Sequence, residues 1–250
     1  MLWYKAWLDT RSRFLIGLLC VVGTVVGMIA FYPRAAALTS DLSEQAIDSA
    51  FGGRIAEMLL VSKTYRGYVW SQVFYQNLPT LWCLFAALLG TGGWLSASRG
   101  GLFTLSLPVS RRQLVATRAG IVLLELLVLA IVPALLIPFF SPAVGQSYSI
   151  VDATVHALCL FIGGSVFFGL AFLLSSVFDD VWRPALVAIG AATILGWLDG
   201  MGGGVHVFRV ITAENYFFHH SLPWTGLLLS ALMSTAMVYG ATVNVARRDF

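Results

Sequence analysis

Phe14 to Phe31 reads FLIGLLCVVGTVVGMIAF, a run without one acidic, basic or histidine side chain. As a helix rising about 1.5 Å per residue it covers about 27 Å, close to the hydrocarbon thickness of a bilayer, about 30 Å. Lys5, Arg11 and Arg13 precede it and Arg34 follows, so the charges stand where a crossing helix would leave them. A cleaved signal peptide has an apolar core of only about 7–15 residues, and this run is longer. It reads as a retained first span, although Ala35, Ala36 and Ala37 follow it.

The pattern recurs at Leu78–Leu95, Ala119–Phe140, Ala153–Phe178, Ala185–Leu198 and Leu222–Ala246. The fifth run is the shortest, closed by Arg183 and Pro184 before it and Asp199 after it. It crosses either tilted or by continuing through Gly200 to Phe208 with Asp199 turned toward protein. Hydrophobic residues make up 58% of the 250 and charged residues 11%, against about half and about a quarter in soluble domains. Too few charges remain to coat a water-facing surface. The expected fold is therefore all-α and integral to the membrane, a single domain of six transmembrane helices over residues 1–250.

Basic loops are retained on the cytoplasmic side. With the N-terminus inside, Lys5, Arg11, Arg13, Arg99, Arg111, Arg112, Arg118, Arg183, Arg247 and Arg248 face the cytoplasm. Arg34, Arg54, Lys63, Arg66 and Arg209 face outward, most of them interspersed with acids in one long loop. Both termini are predicted to be cytoplasmic. The net charge of +3 is explained by this bias and implies no nucleic-acid partner. Four regions fall outside the spans: an amphipathic interfacial segment over 1–13, an outer loop over 32–77, a cytoplasmic segment over 96–118, and an outer loop or re-entrant hairpin over 199–222. Within the outer loop Leu42, Ile47, Phe51, Ile55, Met58 and Leu59 recur at near-helical spacing, the pattern of an amphipathic extracytoplasmic helix.

This chain holds no ATP-binding P-loop. A P-loop ends in Gly-Lys-[Ser/Thr], whereas Lys5 and Lys63 follow Tyr4 and Ser62. Any ATP and Mg²⁺ belong to a partner, and no cofactor is expected here. Cys20, Cys83 and Cys159 all fall within spans, so no disulfide framework is implied.

The segment Arg99 to Arg118 holds apolar Leu102, Leu105 and Leu107 ahead of Pro108 and Val109. Ser110 then caps a new helix whose first turns carry Arg111, Arg112 and Leu114. On physical grounds this is either a lipid-binding interfacial element or a docking knob for a cytosolic partner. The run Leu102–Arg112, LFTLSLPVSRR, resembles the Leu-Ser-Leu-Pro-Val-Ser-Arg signature of ABC-2 type permeases, placed as in that family between the second and third spans. The ending Asn244-Val-Ala-Arg-Arg-Asp-Phe250 is similar to the family's usual close. Ser96 to Gly101 lacks the glutamate that many members carry just before the signature. The resemblance implies an exporter of two permeases, identical or related, and two separate ATPase subunits in the plasma (inner) membrane. It also implies that the signature segment forms a coupling helix docking on the ATPase. Gly23 and Gly27 are compatible with a close helix–helix approach, between subunits or within one.

Three side chains inside or beside the spans are candidates for a pathway or gate. Glu125 lies about 10 Å along the helix beyond Arg118, at a depth where an ionisable group is a functional candidate, although a packing role is the simpler reading. Asp152, His156 and Cys159 share one face of the fourth helix, and these are metal-ligating residue types. We read them as a polar stack at a helix end rather than as a metal site. The aromatic stretch Tyr216, Phe217, Phe218, His219, His220 and Trp224 fits a re-entrant hairpin or an interfacial belt. Membrane lipids are the remaining expected partners. The competing classes are a scaffold without transport and an intramembrane enzyme; for the latter Gly163 to Phe167 lacks the last glycine of a nucleophile elbow, and no His-Glu-x-x-His occurs.

Overall fold

The computed structural model describes residues 2–40, 53–91, 110–178, 180, 182–200 and 207–247. The described residues are predominantly helical and hold no strand. In chain order they form α1 (Leu2–Ser40), α2 (Gly53–Val61), α3 (Tyr65–Gly90), α4 (Arg111–Phe140, with a 3₁₀ turn Ser141–Val144), α5 (Ile150–Ser175), α6 (Trp182–Gly200), α7 (Val207–Ile211), α8 (Glu214–His219) and α9 (Trp224–Arg247). By length and hydropathy α1, α3, α4, α5 and α9 are able to cross a membrane. The run expected as the fifth of six spans, α6, is not among them, because Arg183, Pro184 and Asp199 fall within its 19 residues.

Helices outrun their apolar cores at both ends. α1 has 39 residues, about 58 Å, and carries the 1–13 segment and the first span as one rod with Pro33 inside it. The 32–77 outer stretch, expected to hold an amphipathic helix, is helical through Ser40, over Gly53–Val61, which carries the later part of that pattern, and again from Tyr65. The physical reason is that bilayer thickness limits the apolar stretch and not the helix, which continues wherever its face finds protein. α3 begins where Thr64 accepts from the Gly67 amide at 3.1 Å, well before the apolar run at Leu78, because Val69, Trp70, Val73 and Phe74 are buried. Its Val69–Asn77 segment is π-helical, and the Asn77 side chain donates to the Gln72 carbonyl at 2.7 Å across the widened turn.

α5 is the central post, packed on α3, α4, α6, α7 and α9. Close approach requires glycine at its middle: a Cβ on Gly164 would lie 2.3 Å from the buried Trp82 ring. Trp82 in turn donates its indole N–H to the Leu126 carbonyl of α4 at 3.2 Å. Phe167, Phe168 and Phe172 fill the rest of the centre. Large apolar side chains point outward instead on the opposite faces, among them Leu19, Leu124, Leu186, Trp197, Leu228 and Leu232. Such an inside-out distribution suits a lipid surrounding, where packing and satisfied polar groups hold helices together more than water exclusion does.

Candidate functional site

Two polar clusters sit at opposite ends of the bundle. The first lies where α1 begins and α9 ends. Thr10, fully buried on α1, donates to Glu125 Oε1 on α4 at 2.5 Å, while its oxygen also faces the Ala6 and Trp7 carbonyls at 3.2 and 3.4 Å. Glu125 is itself fully buried and its Oε2 has no hydrogen-bond partner. Buried Arg118, two turns earlier on α4, stands 4.0 Å from Asp9. Arg13 donates through Nη1 to the Leu88 and Thr91 carbonyls at 3.0 and 2.9 Å, satisfying acceptors that the end of α3 leaves exposed.

The start of α4 belongs to the same end. Ser110 is extended and its hydroxyl accepts from the Gln113 amide at 3.2 Å, an N-cap as the sequence leads one to expect. Arg111 reaches the Val245 carbonyl of α9 at 3.5 Å, Arg112 is exposed, and Leu114 is half-buried. Leu102, Leu105, Leu107, Pro108 and Val109 lie outside the described residues.

The second cluster is built around Asp152 in the first turn of α5, where the Ser149 hydroxyl caps the helix. Arg66 Nε is 3.3 Å from Asp152 Oδ2, and the Tyr216 hydroxyl donates to Oδ1 at 2.9 Å. The Arg66 guanidinium also lies 5.2 Å over the Phe217 ring, which stacks on Trp70 at 4.4 Å. His156, buried between Phe74 and Tyr216, holds the Asp152 carbonyl through Nδ1 at 2.7 Å. A carbonyl only accepts, so the proton is on Nδ1 and the buried Nε2 has no partner. Tyr148 Oη and Arg66 Nη2 are likewise buried without one. Burial, reinforced by the Asp152 charge, pushes the Tyr148 phenol upward, and burial with the Asp152 hydrogen bond raises Tyr216.

Asp152 and His156 are thus brought together, whereas Glu125 is in the other cluster. Among the described residues no group of three His, Cys, Asp or Glu side chains is placed to hold a metal ion. Cys159 packs instead with Val210, Ala213 and Leu227. Both clusters tie one helix to another through groups that cost free energy when unsatisfied in an apolar setting, the arrangement of a brace or a gate. Sequence reasoning gave Thr10, Arg13 and Arg66 no place in a cluster, and singled out Tyr216 only as part of the aromatic stretch before the last span.

No family model, no curated protein and no solved structure matches the chain.

Proposed function

We propose that this chain is the permease subunit of an ATP-driven exporter of the ABC-2 type, powered by a separate ATPase and paired with a second permease. The observation that carries the reading is the LFTLSLPVSRR run, which passes through the Ser110 cap into the first turn of α4. Through Arg111 that cap stands beside the last turn of α9. A segment docked on an ATPase would there act directly on two long helices. The five long apolar helices support a membrane location. In this proposal α6 supplies the sixth span, made tolerable because buried Asp199 faces Arg209 at 3.7 Å rather than lipid. The end holding the N-terminus of α1, the start of α4 and the end of α9 is then cytoplasmic, in agreement with its Lys and Arg content. On α1, Gly23 and Gly27 have open space where a Cβ would be, which leaves that face available to a second permease.

The test is an affinity pull-down from the native membrane with Arg111→Glu and Arg112→Glu combined as the control. Recovery of a P-loop ATPase with the native chain and its loss with the control is expected. A well-folded chain that recovers no ATPase in mild detergent refutes the exporter and moves the assignment to a scaffold.

A further inference from the structure

Among the described residues Glu125 is the only acid with no exposed surface, and it lies inside α4, a helix able to cross a membrane. Its carboxyl group makes one hydrogen bond, from Oε1 to the Thr10 hydroxyl at 2.5 Å, and Oε2 has none. It has no ion-pair partner among those residues. The nearest cation, Arg118, is two turns earlier on the same helix and stands 4.0 Å from Asp9. A buried carboxylate needs several donors or a close counter-ion, and one hydroxyl supplies neither. Groups in such a position take up a proton instead of holding a charge.

Thr10 can follow that change. Its hydroxyl carries one proton and faces three acceptors, Glu125 Oε1 and the carbonyls of Ala6 and Trp7 at 3.2 and 3.4 Å. With Glu125 ionised, the Thr10 proton serves Oε1. With Glu125 protonated, the acid O–H donates to the Thr10 oxygen, and Thr10 turns its own proton to Ala6. The tie between α1 and α4 is kept in both states; the direction of the bond and the charge are what change.

The charge is felt at one place. Buried Arg118 is acted on by Asp9 and Arg13 of α1 and by Glu125 of its own helix. The other helices bring no competing group among the described residues. Leu78–Gly90 of α3 holds no titratable group but Cys83, Asp152 and His156 of α5 belong to the opposite end, and Arg247 is exposed in the last turn of α9.

We propose that Glu125 is a reversible proton-binding site inside the bundle. A proton from water adds to a lone pair of Oε1, the Thr10–Glu125 bond reverses, and Arg118 is left to Asp9 as its only acidic neighbour. Loss of the proton to water restores the carboxylate, which then competes with Asp9 for Arg118. No other bond forms or breaks, and one positive charge enters or leaves. The assignment does not depend on the exporter reading.

The experiment is infrared spectroscopy of the full chain in lipid nanodiscs, in the C=O region of protonated carboxyl groups. The pH is stepped from about 6 to about 9, a range in which exposed carboxyl groups are ionised. The expected result is a band that fades reversibly as pH rises, shifts when D2O replaces water, and is removed by Glu125→Gln. Thr10→Val moves the band and Thr10→Ser, which keeps the hydroxyl, leaves it in place. The Thr10 pair identifies the Glu125 band even if Glu125→Gln does not fold. It also separates that band from one of Asp199, which is buried beside Arg209 and indifferent to Thr10. No carboxyl band in the range, or a band that Thr10→Val does not move, overturns the proposal. So does a band constant with pH and unchanged in D2O, the mark of an acid sealed from water.

Discussion

Thr10→Val removes one hydroxyl and almost no volume, yet among the described residues it strips the Glu125 carboxyl of its only hydrogen bond, because Oε2 has none and Oε1 is held by Thr10 at 2.5 Å. Interhelical hydrogen bonds within membranes contribute about 0.6 kcal/mol on average, since the dissociated helices find other partners. Glu125 is fully buried, and a buried polar group left without a partner costs about 1–3 kcal/mol. The expected loss for Thr10→Val is therefore about 1.5 kcal/mol, above the membrane average. The reverse change is cheaper: in Glu125→Leu the Thr10 hydroxyl turns to the Ala6 carbonyl already at 3.2 Å, so the loss is about 0.5 kcal/mol. Glu125→Gln keeps an acceptor oxygen for Thr10 and should fall between them. The double variant Thr10→Val/Glu125→Leu should be less destabilised than the sum by about 1 kcal/mol. Equilibrium unfolding of the purified chain in mixed micelles measures all four. A Thr10→Val loss below about 0.5 kcal/mol, or a cycle additive within that margin, would refute the reasoning.

Gly164→Ala places a methyl 2.3 Å from the Trp82 ring, whose own N–H is committed to Leu126, so overpacking of about 1–3 kcal/mol is expected as a lowered thermal midpoint. Gly23→Ala, with nothing within 4 Å, should leave the midpoint of the isolated chain unchanged. Asp152→Asn loses an ion pair whose Arg66 side chain is 40% exposed, worth under about 1 kcal/mol, and still accepts from Tyr216. Asp152→Leu leaves both partners without an acceptor, and hydrogen exchange across Glu214–His219 should quicken in it alone. Arg13→Met frees the Thr91 carbonyl, leaves Leu88 with the Thr91 hydroxyl as donor, and should raise exchange at the end of α3 without unfolding the bundle.

The spans were legible because their signal is local. Phe14–Phe31 and Ala119–Phe140 need only length and the absence of charge to be seen, and both lie within single helices. Ser110 was legible as a cap for the same reason, since capping depends on the next three residues. The start of α3 at Tyr65 was not, because Tyr65, Tyr68 and Trp70 become buried against α1, the Ser141 turn and the 207–219 region, contacts remote in sequence. The clusters divide along the same line. Asp152 and His156 are one helical turn apart and were paired on sight, whereas Arg66 and Tyr216 reach Asp152 from far along the chain. Thr10 gave no warning, being an ordinary threonine whose partner lies 115 residues away. The π-helical stretch was equally hidden, since nothing in Val69–Asn77 departs from an ordinary helical pattern.

Under the proposed function α4 is the element that joins the two ends. Its 30 residues span about 45 Å, from the Ser110 cap to the 3₁₀ turn at Ser141. Near its middle Glu125 is fastened to α1; at its far end the Ser141 hydroxyl donates to Ile137, so the Tyr65 hydroxyl donates to Ser141 at 2.6 Å. Tyr65 adjoins Arg66, and Arg66 holds Asp152. A displacement applied at Arg111 and Arg112 thus meets the Thr10–Glu125 bond first and the Arg66–Asp152–Tyr216 cluster last. Pro133 and Pro138 fall between those points, each removing one rung of the helical ladder. Bending there is easier than along the stretch from Arg111 to Val132, which has an unbroken run of potential donors. The first part of α4 then moves as a lever with α1, and the final two turns adjust against α3 and α5. In that proposal buried Glu125 fastens the lever part of α4 to α1, and Asp152, on α5, stands beside the part that adjusts.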